Sequence, residues 1–133
     1  MVAAALASVT ADDRWEILDD LTFGKPGERT VRLHWLLLDG DWTIKQSEAG
    51  LQIRLRTPAG LIRINIAALN ISSPGLDVML IRAGRVVYGR GEPLAYEGWF
   101  SPTYGVIEPA LSLSLQASSS GSCRFVTDFI LHK

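Results

Sequence analysis

The stretch "GLQIRLRTPAGLIRINIAAL", residues 50–69, decides the fold. Leu51, Ile53 and Leu55 alternate with Gln52, Arg54 and Arg56, the period of a strand whose successive side chains point to opposite faces. Thr57-Pro58-Ala59-Gly60 then supplies turn chemistry, after which Leu61 and Arg63 alternate with Ile62, Ile64 and Ile66. The pattern predicts a β-hairpin. If it pairs in register, Arg54, Arg56 and Arg63 line one side of it, either as a solvated charged face or as an anion site.

The same period continues on both sides. In "RTVRLHWLLL" (residues 29–38) Val31, Leu33, Trp35 and Leu37 share a face, with Arg32, His34 and two further leucines opposite. "LDVMLIRAGRVVYG" (76–89) predicts a second hairpin around "RAGR", Gly84 supplying a positive φ. "ALSLSLQAS" (110–118) reads as a strand with one buried and one wet face. The flexible "SSSGS" (118–122) leads to a closing strand, "CRFVTDFIL" (123–131). "MVAAALASV" (1–9) reads as an opening strand, since it lacks the basic leader of a signal peptide and runs straight into "TADDR". No long segment has helical spacing, and Gly, Pro, Asp-Gly and Ser-Ser clusters recur about every ten residues, as in sandwiches. The expectation is an all-β, antiparallel two-sheet β-sandwich of roughly nine to eleven strands, one domain spanning residues 1–133. Two sheets suit the chain better than one, because residues 61–69 are apolar on both faces or nearly so.

The composition narrows the chemistry. A chain of 133 residues holds one core, and 13 basic against 14 acidic side chains build in no attraction to nucleic acid or an anionic membrane. No stretch approaches the roughly 20 apolar residues of a spanning helix. The single cysteine, Cys123, excludes an internal disulfide and a cysteine-based zinc site, and reads as a small buried apolar residue. The two histidines are too far apart to show a ligand spacing, so no metal or cofactor is expected.

No catalytic set emerges. The sequence alone pairs none of its carboxylates; Asp39 and Asp41 in "DGDW" are first of all turn residues. There is no G-x-S-x-G, and Gly89-Arg90-Gly91 reads as a turn or bulge. His34, flanked by Leu33 and Trp35, reads as structural, and His132 as part of a frayed tail. Trp15 and Trp35 fit core positions. Trp42, Trp99 and Tyr104 fit either a core or a surface on which a sugar ring stacks, with Arg54 and Arg63 able to donate to carboxylates or sulfates. These five are the candidate substrate-binding residues. In "GWFSPTYG" (98–105) the glycines allow a tight backbone and Pro102 fixes a bend, so Trp99 and Tyr104 are expected to pack a corner, the tyrosine hydroxyl reaching a backbone group.

The ordered series "RWEILDDLTFG", "VRLHWLLLDGDW", "LQIRLRTPAGLIRINI", "VVYGRGEPLAYEGWFSPTYGVIEPALSLSL" and "CRFVTDFIL" resembles the C-terminal β-sandwich region of heparinase II/III-like polysaccharide lyases. "EGWFSPTYGVIEPAL" is its most specific part, and the resemblance spans residues 14–131. It implies a bacterial parent, often periplasmic or secreted, that cleaves uronic-acid-containing polysaccharides by β-elimination. Most of the catalytic groups of such enzymes lie in an α-helical toroid and an earlier β region, and no residue here matches a family base. The resemblance therefore implies a non-catalytic portion that packs against the toroid domain and contacts an acidic polysaccharide. A lone sandwich of this origin exposes an apolar docking face, which favours a homo-oligomer. A free-standing carbohydrate-binding module and an active lyase are the alternatives.

Overall fold

The computed structural model describes residues 2–11, 13–72 and 75–132, the first stretch as backbone only. Twelve strands and no helix run through them: β1 (Val2–Ala11), β2 (Arg14–Thr22), β3 (Arg29–Leu37), β4 (Asp41–Ser47), β5 (Gly50–Thr57), β6 (Gly60–Leu69), β7 (Asp77–Arg82), β8 (Arg85–Tyr88), β9 (Trp99–Thr103), β10 (Val106–Pro109), β11 (Leu111–Ser119) and β12 (Cys123–His132). One sheet has the order β1-β2-β12-β6-β5-β4, another β3-β11-β7-β8, and β9 and β10 form a two-stranded ribbon. The chain is all-β and antiparallel, consistent with a β-sandwich. This is the antiparallel all-β architecture expected, and the stretch read as a corner contains the short pair β9 and β10.

Two compact units divide the chain. The first comprises Met1–Val31, Gly40–Leu76 and Ala117–Lys133, the second Arg32–Asp39 and Asp77–Gln116.

In the first unit the β5–β6 hairpin forms in the register its pattern requires: Leu51 opposite Ile66, Ile53 opposite Ile64, Leu55 opposite Ile62. Thr57 closes the turn, its Oγ1 accepting from Ala59 N–H at 3.2 Å and donating to Gly60 O at 2.9 Å. Strand β12 flanks β6 on the other side and continues the apolar row, Phe129 opposite Ile64 and Phe125 opposite Ala68. Ile53, Ile64, Ile66 and Phe125 are buried, each burial stabilising by about 1.5–3 kcal/mol. Cys123 is also buried, and desolvation pushes its thiol up.

Two expectations for this unit need correction. Trp15 is 39% exposed, because it lies one residue inside β2, beside the turn from β1, where strand-end burial is incomplete. The "SSSGS" stretch is tied down: fully buried Ser119 directs its hydroxyl to Asn70 O at 3.0 Å and Gly121 O at 2.7 Å.

In the second unit β11 is the surprise. Its alternating leucines are buried as expected, but Ser112 and Ser114 are only 3% and 6% exposed. The wet face is covered, because the chain between β8 and β9 lies over it and Gly98 N–H donates to Ser112 Oγ at 2.8 Å. Strands β7 and β8 join through Ala83 and Gly84, both at positive φ (50° and 77°), which matches the hand of a tight hairpin. Arg82 at the end of β7 donates from Nε and Nη2 to both carboxylate oxygens of Asp39, each at 2.7 Å, so this turn residue also carries an ion pair.

Candidate functional site

The second unit is organised about Glu97 and Gly98. Gly98 has φ +80°, and a Cβ there would stand 2.5 Å from Ala83 N, so a side chain is excluded twice over. Its carbonyl accepts from Ala83 N–H at 2.9 Å and Ala110 N–H at 2.8 Å. The Glu97 carbonyl accepts from Gly84 N–H at 2.9 Å, and Glu97 N–H donates to Leu94 O at 3.0 Å. The Glu97 carboxylate is buried, with 6% exposure; Oε1 accepts from Leu94 N–H at 3.0 Å and Oε2 from Arg32 Nη2 at 3.5 Å. A buried carboxylate persists only with such partners.

Around this centre lies an open depression of about 420 Å³. Arg32 and His34 reach it from β3, Tyr96 and Trp99 from the covering segment, and buried Glu97 and Ser112 complete it. Trp99 is partly buried, its indole nitrogen 3.7 Å from where a Cβ of Gly84 would stand. Tyr96 is 73% exposed. Desolvation lowers the pKa of His34 from the ordinary 6.5, and the Arg32 charge lowers it further while Glu97 opposes. The imidazole is therefore neutral at neutral pH. A neighbouring depression of about 360 Å³, reached by Arg90, Glu92 and Gln116, shares Arg32, Leu94 and Glu97 with it.

A second candidate surface belongs to the first unit. Trp42, Arg54 and Arg56 line a groove of about 270 Å³ with Asp41, Thr43 and Leu61. Cross-strand register sets Arg54 directly opposite Arg63 and Arg56 opposite Asp41. Arg54 and Arg56 are exposed; Arg63 is partly buried, and its Nε is buried with no hydrogen-bond partner among the described residues.

The five candidate residues are thus distributed. Trp42 and Arg54 share one groove with Arg63 as cross-strand neighbour of Arg54, whereas Trp99 lines the other depression. Tyr104 joins neither. It is fully exposed at the β9–β10 turn and does not pack the corner; Ser101 Oγ, within 2.9 Å of the carbonyls of Thr103 and Val106, holds the turn instead. Arg32, Tyr96, Glu97 and Ser112 were not among the five candidates. The one local signal was an acid beside a glycine in "YEGW", in an otherwise apolar and aromatic stretch. Among the described residues no group of three or more His, Cys, Asp or Glu is placed to hold a metal ion.

No family model matches the chain, and neither a curated protein nor a solved structure matches it.

Proposed function

We propose that this chain is the non-catalytic C-terminal β-sandwich portion of a heparinase II/III-like polysaccharide lyase, supporting the catalytic toroid domain and contacting a uronic-acid-containing glycan through the arginine face of the β5–β6 hairpin. The observation that carries the glycan contact is the pairing of Arg54 with Arg63. Like charges directly opposite each other destabilise a sheet, and Arg56 adds a third guanidinium two residues along the same face. A carboxylate or sulfate held between them turns that repulsion into charge-assisted hydrogen bonds. The parentage draws on the "EGWFSPTYGVIEPAL" word, whose Glu97 and Gly98 have demanding structural roles that few residue types fill.

Binding of the chain to heparin, alginate and neutral dextran at low and high salt tests the contact. The acidic polymers bind and dextran does not, binding weakens with salt, and the double variant Arg54→Gln/Arg63→Gln loses about tenfold or more in affinity, as for one or two charge-assisted hydrogen bonds. Undiminished binding by the double variant refutes the arginine face. Appearance of unsaturated-uronate absorbance with the chain alone refutes the non-catalytic assignment.

A further inference from the structure

We propose that the depression between β3 and the covering segment of the second unit is a separate binding site, for one neutral, hydroxyl-rich ring of the hexopyranose kind. Its volume of about 420 Å³ falls in the range of small-molecule sites, roughly 300–1,000 Å³. Two aromatic side chains, Tyr96 and Trp99, offer planes to the apolar C–H face of such a ring.

Charge selects the class. Arg32 is paired with Glu97, so an incoming anion must compete with a carboxylate already in place and approach that carboxylate's own charge. A cation must approach the Arg32 guanidinium. A ring that carries hydroxyls and no charge meets neither penalty, and the uncharged form of His34 fits the same balance.

Donors and acceptors are available for those hydroxyls. A carboxylate offers about four lone-pair sites, and Glu97 uses one at each oxygen. Ser112 Oγ accepts from Gly98 N–H, which leaves its proton to donate. Neutral His34 presents one donor and one acceptor. This combination of planar apolar walls with polar groups of both kinds is chemically distinct from the arginine face and stands whether or not that face binds glycans.

Saturation-transfer NMR and tryptophan-fluorescence titration of the full chain with methyl glucoside, methyl galactoside and methyl mannoside test the site. At least one glycoside binds with a dissociation constant of millimolar order. Tyr96→Ala and His34→Ala, at exposed positions that leave folding intact, each weaken it about fivefold, and Trp99→Ala abolishes it. Arg54→Gln/Arg63→Gln leaves it unchanged, which separates this site from the polyanion surface. The proposal fails if no glycoside gives a signal up to about 50 mM, if the Tyr96 and His34 variants bind as the parent does, or if methyl glucuronide or indole binds more tightly than all three glycosides.

Discussion

The β5–β6 hairpin of the first unit and the Leu94–Pro109 stretch of the second reach order by different routes. In the hairpin, side chains decide: apolar residues at every second position form a cross-strand row through Ile53, Ile64 and Phe129, and the backbone follows regular ladders. In the stretch, the backbone decides. Glu97 and Gly98 use their main-chain groups to join the β7–β8 turn to the start of β11, while residues 100–109 are exposed throughout. A region can thus be well defined with little apolar burial of its own, provided its peptide groups are matched to partners distant in sequence.

Substitutions sharpen the contrast, and the largest effects fall on different residue types in the two regions. Ile53→Ala costs about 2–5 kcal/mol by leaving a cavity. Gly98→Val costs at least about 3 kcal/mol, because φ +80° and the approach to Ala83 both exclude a side chain. Denaturant melts of both variants check this, and a mild Gly98→Val would collapse the distinction. Next, Ser112→Ala deprives a buried N–H of its acceptor and costs about 1–3 kcal/mol, more than a serine on a wet face would.

Smaller effects are equally diagnostic. Arg54→Gln raises stability by about 0.2–1 kcal/mol through relief of the cross-strand repulsion, even as it weakens polyanion binding. In an NMR titration His34 has a midpoint below 6.5, and Arg32→Met moves it upward. The unfolded chain binds this proton more readily than the folded one, so the His34 contribution erodes stability as pH falls below 6.5 and levels off beneath the folded midpoint. Smallest of all, Tyr104→Ala changes stability by no more than about 0.5 kcal/mol.

The division also explains what could be read in advance. Strand class, the β5–β6 and β7–β8 hairpins and the shared side of Arg54 and Arg63 follow from period two and from turn residues, both local in sequence. The burial of Ser112 and Ser114 does not, since it depends on a covering segment that begins some distance upstream and carries no period of its own. The depression was illegible for the same reason: Arg32 and Glu97 meet across 65 positions of chain. Tyr104 misled because an aromatic between Pro102 and Gly105 looks like packing material, while the turn needed only the small hydroxyl of Ser101.

The ribbon of β9 and β10 leaves and re-enters the fold at almost the same point, since Ala110 N–H bonds to Gly98 O at 2.8 Å. A segment whose two ends are clasped together is a natural graft point. Residues 101–108 can be exchanged for a recognition loop of another length or composition without altering the distance its anchors must span, and the surrounding sheet would register the replacement only through entropy of closure.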